Sequence, residues 1–288
     1  MITGKTKLLG VIGDPIEHSL SPVMHNAAIA ELQLDYVYLP FPIKSENLSA
    51  AISGFTAIGL TGFNVTIPHK QTIIHLLTEV SPIAKEIGAV NTVWRTEIGW
   101  NGTNTDVEGF LAPLKNYKQN WHQTTALILG YGGAARAVVA GCVQLNCGKI
   151  QVLGRDSQKL KAFQDSWHSQ LGVNLSVHSW QELPDLIAES NLLINTTPVG
   201  MYPRVDESPV SAELMAKLPE KAIAYDLIYT PNPTKFLQLA KQQGADAIDG
   251  LEMLIQQGAA ALQIWLKQQA PVEVMRQSLR QYLQRPCD

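Results

Sequence analysis

Residues 125–145 constrain the fold more than any other stretch of this chain. Thr125–Leu129 is an apolar segment with the length of a strand. Gly130-Tyr131-Gly132-Gly133-Ala134-Ala135 follows, and residues 135–145 form an Ala/Val-rich segment that reads as a helix. The hexamer fits G-x-G-x-x-A between a strand and a helix. Gly130 permits the tight turn, Gly132 lets backbone approach a pyrophosphate, and the small Ala135 allows close helix–strand packing. The amides and dipole at such a helix start favour phosphate charge. Gly130, Tyr131, Gly132, Gly133 and Ala134 are therefore candidate dinucleotide-binding residues, and the unit predicts a Rossmann-type sheet.

The surrounding pattern extends that sheet. Apolar strands are expected at 149–153, 192–195 and 223–228, which suits a doubly wound parallel arrangement. Before this unit, strands are expected at 8–13, 36–41, 60–67 and 89–94. Residues 99–106 read as a polar, Gly-rich segment. Helices are expected at 21–34, with Ser21 as N-cap and Pro22 in the first turn, and at 70–77 and 109–114. Residues 115–124 carry no strong pattern. Past Asp249-Gly250 the chain turns helical again, at 253–265 and 272–283.

Composition excludes several classes. The 288 residues are 45% apolar and 16% charged with a net charge of −3, as in a globular protein. Lys and Arg do not cluster, so no nucleic-acid partner is expected. No apolar run approaches the roughly 20 residues of a membrane span. The apolar run after Lys5 and Lys7 stops at Gly13-Asp14, which suits a first strand rather than a signal peptide. Cys142, Cys147 and Cys287 lack metal-ligand spacing and read as reduced thiols of a cytoplasmic protein, and no metal site is expected.

The end of the second strand of a dinucleotide unit selects the cofactor: an acidic residue there favours NAD, an Arg favours NADP. Here the sequence is Gly154-Arg155-Asp156, with Lys159 beyond. Arg155 and Lys159 favour the extra phosphate. Asp156 opposes it if its side chain faces that phosphate. Alternatively, all three are solvated charges capping the next helix.

Three polar clusters lie outside the unit. Ser19 and Ser21 flank Leu20 at a helix start, where hydroxyls and free amides suit a carboxylate. In Asn64-Val65-Thr66-Ile67-Pro68-His69-Lys70, Pro68 ends a strand and delivers Lys70 at its carboxyl end, where α/β ligand sites lie. Gly88-Ala89-Val90-Asn91-Thr92 is followed by Gly102-Thr103-Asn104-Thr105-Asp106. Singly, each cluster is an ordinary cap, exposed lysine or turn.

Taken in order, these motifs resemble the shikimate dehydrogenase family over nearly the whole chain. The matching elements are those quoted above together with Val107-Glu108-Gly109, Arg136, Asn195-Thr196-Thr197-Pro198-Val199-Gly200-Met201, Tyr225-Asp226-Leu227-Ile228-Tyr229 and Asp249-Gly250-Leu251-Glu252-Met253-Leu254-Ile255-Gln256-Gln257. The resemblance implies an N-terminal α/β substrate domain (1–106 with 250–288) and a Rossmann-type NADP-binding domain (107–249), with the active site in the cleft between them. It implies NADPH-dependent, reversible reduction of 3-dehydroshikimate to shikimate in aromatic amino-acid biosynthesis. Ser19 and Ser21 would hold the substrate carboxylate, with Tyr229 closing that end. Thr66, Lys70, Asn91, Asp106 and Gln257 would ring the hydroxyls and reacting carbon, with Lys70 and Asp106 catalytic. Arg155 and Lys159 would bind the adenosine phosphate, and Leu227 and Gly250 would line the nicotinamide. The implied partner is a small molecule, and the chain would act as a monomer or homodimer. The departure from the family pattern is Gly154-Arg155-Asp156, where Asn-Arg-Thr is usual, and Lys159, where Arg is usual. A quinate/shikimate dehydrogenase using NAD, a methylenetetrahydrofolate dehydrogenase and a non-catalytic dinucleotide sensor are the alternative readings. Paired Ser19/Ser21 speak against a folate site, and an intact Lys70 and Asp106 against a sensor.

Overall fold

The structure, a computed structural model, describes residues 2–167 and 174–284. In chain order the main elements are β1 (Lys7–Gly13), α1 (Ser21–Glu31), β2 (Tyr36–Pro42), α2 (Leu48–Ala57), β3 (Gly62–Val65), β4 (Glu79–Val80), α3 (Pro82–Ile87), β5 (Thr92–Thr96), β6 (Gly99–Thr103), α4 (Asp106–Leu114), β7 (Thr125–Leu129), α5 (Gly133–Gln144), β8 (Lys149–Gly154), α6 (Ser157–Asp165), β9 (Leu175–Ser179), α7 (Leu183–Leu186), β10 (Leu192–Asn195), α8 (Ala212–Met215), β11 (Ile223–Asp226), α9 (Lys235–Gln242), β12 (Asp246–Ile248), α10 (Leu251–Leu266) and α11 (Val272–Leu283). The chain forms two compact units, residues 1–109 with 254–288 and residues 110–253.

The first unit is built on a mixed sheet of order β2-β1-β3-β5-β6-β4. β1 runs parallel to β2 and β3, whereas β3–β5 and β5–β6 are antiparallel. Register sets Asn64 opposite Thr92, and Thr92 opposite Thr103. A polar row therefore crosses a sheet whose other positions, Ile12, Phe63, Val65 and Val93, enter an apolar core with Ile52, Phe55 and Trp100. Trp265 on α10 donates from Nε1 to the Val93 carbonyl (2.9 Å). A Cβ on Gly62 would lie 2.3 Å from that same nitrogen, so the absent side chain is what admits the indole.

The second unit is a sheet of order β12-β11-β10-β7-β8-β9, with every pairing parallel. This is the doubly wound arrangement expected from the Gly-rich unit. Leu127, Leu129, Leu153, Leu193, Ala224 and Phe236 form much of its core.

Several local expectations are corrected. Ser21 is the first residue of α1 rather than its cap; Leu20 occupies the cap position, and the Ser21 amide is bonded by the Ser19 hydroxyl (3.3 Å). That helix ends at Glu31 instead of 34, at Leu32 and a left-handed Gln33. Residues 70–77 do not form an α-helix: Lys70 sits in a turn, followed by a 3-10 turn at Thr72–Leu76. Residues 99–103, which the sequence marks only as polar and Gly-rich, form β6, because pairing with β5 satisfies their backbone despite the glycines. Cys142 and Cys147 are free thiols, while Cys287 lies outside the described residues.

Candidate active site

In the first unit the polar row leads to a buried ionic pair. Lys70 is fixed through its backbone, whose carbonyl accepts from the Val90 amide (2.7 Å). Its neighbour His69 is buried, with Nε2 2.6 Å from the Ile43 carbonyl, which anchors the turn. Asp106 begins α4, its amide held by the Asn104 side chain (2.9 Å). Lys70 Nζ donates to Asp106 Oδ2 at 2.6 Å, and the two side chains are 16% and 8% exposed. A charged pair this buried persists only with its remaining sites satisfied. Asn91 does that: its Nδ2 reaches Asp106 Oδ1 (2.8 Å), Thr105 Oγ1 (2.9 Å) and Gln257 Oε1 (3.2 Å). Asn91 Oδ1 in turn accepts from the Thr105 amide (2.8 Å) and the Thr92 hydroxyl (2.9 Å). Gln257 on α10 is oriented by its own Nε2 bond to the Leu254 carbonyl (2.7 Å), and its carbonyl accepts from the Thr105 hydroxyl (3.0 Å).

Lys70, Asn91, Asp106 and Gln257, remote in sequence, are thus one network. The network also includes residues to which the sequence assigns no role: Thr92, Thr105, and Asn64, which donates to the Asn91 carbonyl (3.1 Å) and accepts from the Tyr38 hydroxyl (2.7 Å). The β3–β5 register is the signal that would have found Asn64. Tyr38 is fully buried and stacked on His25 at 4.3 Å. Burial drives the His25 pKa down to about 3, so this ring is neutral. Ser19 and Ser21 are joined by their own hydrogen bond. Thr66 lies in the turn after β3, where its amide donates to the Ile12 carbonyl (2.9 Å) and its carbonyl accepts from His69 (2.9 Å). Its methyl occupies the space a Cβ on Gly13 would take.

In the second unit, Gly130 has φ +105°, and a Cβ there would lie 2.8 Å from Thr196 Oγ1. Gly132 precedes α5, and nothing lies within 4 Å of a Cβ added to it. A side chain would fill the space that this turn leaves open before a helix start, so the turn fits a pyrophosphate. Leu227 and Gly250 are brought together: a Cβ on Gly250 would sit 2.1 Å from the Leu227 carbonyl oxygen. Tyr229 lies on the loop after β11, half-buried.

That loop is organised by Asp226 and Asn195, which end adjacent strands β11 and β10. Asp226 accepts from Asn195 Nδ2 (3.0 Å), the Ile228 amide (3.1 Å) and the Thr234 hydroxyl (2.7 Å). Burial raises its pKa to about 7, although all three donors oppose the rise.

At the end of β8, Asp156 caps α6, accepting from the Gln158 and Lys159 amides at 3.0 Å each. Arg155 is exposed and lies over the Trp180 ring, 5.4 Å from its centroid. Lys159 is exposed, 3.9 Å from Asp156. The Gly154 departure has a local cause, because a Cβ there would lie 2.3 Å from the Tyr131 ring. Among the described residues no group of His, Cys, Asp and Glu could hold a metal ion, and no helix is long and apolar enough to cross a membrane.

A parallel sheet with a turn that fits a pyrophosphate, together with a largely buried Lys–Asp pair set among amides and hydroxyls, is an arrangement that can hold a dinucleotide and present a proton donor. The family model described as the shikimate dehydrogenase substrate binding domain matches residues 11–93, and that of the shikimate 5'-dehydrogenase C-terminal domain matches residues 250–280. A relative from Trichormus variabilis, named shikimate dehydrogenase (NADP(+)), is 65% identical over 98% of this chain and 99% of its own. Among solved structures, a shikimate dehydrogenase in complex with NADP+ is 39% identical with a TM-score of 0.88, covering 99% of this chain and 98% of its own. The enzyme from Aquifex aeolicus is 38% identical with a TM-score of 0.87, covering 97% and 100%. The chain belongs to the shikimate dehydrogenase family.

Proposed function

We propose that this chain catalyses the reversible reduction of 3-dehydroshikimate to shikimate, with NADP(H) as its dinucleotide, as a monomer or homodimer in the cytoplasm. The observation that carries the reading is the Lys70–Asp106 pair, 2.6 Å apart and buried within the Asn91–Gln257 network. We assign the substrate to residues 1–106 and 250–288, and the dinucleotide to residues 107–249.

Bound NADPH supplies the hydride. As a ring ketone is reduced, its oxygen gains negative charge and then needs a proton. Lys70 has three N–H donors, one of them engaged by Asp106. The others can hydrogen-bond that oxygen, and one proton passes to it from Nζ as charge develops. Asp106 fixes the ammonium in place, and Asn91 fixes Asp106. Because this network is made before substrate arrives, little reorganisation is required during the reaction. Thr66, Asn91 and Gln257 bond the ring hydroxyls. The Ser19 and Ser21 hydroxyls hold the carboxylate, and Tyr229 closes that end. Gly130, Tyr131, Gly132, Gly133 and Ala134 hold the pyrophosphate, Arg155 and Lys159 the adenosine phosphate. Leu227 and Gly250, already packed together, line the nicotinamide.

The test is nicotinamide absorbance with purified protein, using shikimate or quinate with NADP or NAD in all four combinations. Shikimate with NADP is expected to give the highest kcat/KM. Turnover absent in all four, or highest with quinate and NAD, would overturn the assignment.

A further inference from the structure

Neither Arg155 nor Asp156 alone explains how this chain tells NADP from NAD. A guanidinium on a flexible, exposed stem loses rotamer freedom when it engages a phosphate, and that cost weakens its grip. An acidic residue beside it should repel the phosphate. The structure offers a physical answer to both difficulties.

Strands β8 and β9 are parallel neighbours, with Gly154 paired to Ser179. The next residue on each strand is therefore brought alongside, which places Arg155 beside Trp180. The guanidinium lies over the indole, 5.4 Å from its centroid. Trp180 also packs against the core that contains Leu153, Leu183 and Ile187. The turn that carries it is closed by a capping box: the Ser179 amide donates to Glu182 Oε1 (2.8 Å), and the Ser179 hydroxyl accepts from the Gln181 amide (3.4 Å). His178 Nδ1 lies 2.8 Å from Glu182 Oε2, and its Nε2 lies 2.8 Å from the Ser176 hydroxyl. Asp156 is turned to other work, accepting the Gln158 and Lys159 amides of α6. Its Oδ1 is thereby engaged as a cap, and its Oδ2 lies 3.9 Å from Lys159 Nζ.

We propose that Trp180 is the positioning residue for cofactor choice: it pre-orders Arg155 for the adenosine 2′-phosphate, while Asp156 serves as a helix cap and takes no part in the choice. The inference rests on the NADP-dependent reading above. A rigid aromatic surface under a guanidinium holds its plane without consuming its N–H donors, which leaves the fork free for phosphate oxygens. NAD, lacking that phosphate, gains nothing from the arrangement.

The test is calorimetric binding of NADP+ and of NAD+, separately, to the wild-type chain and to Trp180→Ala, Trp180→Phe, Arg155→Ala and the Arg155→Ala/Trp180→Ala double variant. Trp180→Ala is expected to weaken NADP+ binding about threefold to fivefold and to change NAD+ binding less than twofold. Trp180→Phe is expected to restore most of the loss. In the Arg155→Ala background, removing the indole is expected to have no further effect, because Trp180 acts through Arg155. Asp156→Ala is expected to lower Tm and to leave the ratio of the two affinities within twofold. Equal weakening of both dinucleotides by Trp180→Ala, or an unchanged NADP+ affinity, would overturn the proposal. So would a wild-type chain that binds both equally. Binding is read without turnover, so a wild-type chain that prefers NADP+ yet fails to oxidise shikimate would break the substrate assignment and leave this one standing on its own result.

Discussion

Asp106 and Asp226 are both buried carboxylates at the boundary of a regular element, one in each compact unit, and they are put to different uses. Asp106 meets a cation, Lys70, and an amide, Asn91. Asp226 meets only neutral donors, from Asn195, Ile228 and Thr234, and among the described residues it has no cationic partner. Desolvation therefore dominates at Asp226 and lifts its pKa to about 7. The partner, more than the depth of burial, separates the carboxylate proposed for chemistry from one that organises loops. Asp226 ties the ends of β10 and β11 together; Asn195 extends the tie through the Thr197 amide (3.0 Å) and the Val199 carbonyl (3.2 Å).

The largest expected effect strikes the first carboxylate's cation. Lys70→Ala should lower kcat by about 10²–10⁴-fold with a modest change in the shikimate KM, since a positioned proton donor contributes on that scale. Asp106→Asn should act in the same direction and more weakly, and more strongly than Asp226→Asn. Steady-state kinetics of the three variants would sink the contrast if Asp226→Asn were the slowest.

The next effect is on stability. Asp226 has a folded pKa of about 7 against an ordinary 3.8, so the folded chain retains this proton where the unfolded chain has released it. Stability from this group is full below about pH 4 and falls as pH rises to about 7, by on the order of 4 kcal/mol. Asp226→Asn keeps a neutral group there at every pH and should flatten that part of the curve. Chemical denaturation at a series of pH values measures the slope; an unchanged slope in the variant would mean that Asp226 is ionised throughout.

The smallest effect is on ground-state binding. Ser19→Ala should raise the shikimate KM roughly tenfold with kcat nearly unchanged, because a carboxylate contact is made equally in ground and transition states. A fall in kcat with constant KM would move Ser19 from binding into the chemistry.

Much of the candidate site is legible because its residues lie in short, ordered motifs. Lys70 follows a strand-ending Pro68, and Asp106 closes a polar run. What escaped is what depends on which strand lies beside which. Arg155 and Trp180 meet only because β8 and β9 are neighbours, and β9 itself carries no clear strand signal, since Leu-Ser-Val-His-Ser has little apolar alternation. Asn64 reaches Asn91 through the register of an antiparallel pair. Ser21 differs from its expected place as a cap for a simpler reason: a Ser before Pro22 fits the statistics of a helix start, yet here the backbone is already helical at Ser21, and the hydroxyl two residues earlier takes its amide.

The contact between Tyr131 and Gly154 carries a historical consequence. A side chain at position 154 cannot coexist with this placement of the Tyr131 ring. The two sites should therefore covary, with a residue that has a Cβ at 154 accompanied by a smaller one at 131. The order of change is constrained as well. Loss of the side chain at 154 beside a small residue leaves only a gap, whereas arrival of tyrosine first meets an occupied space.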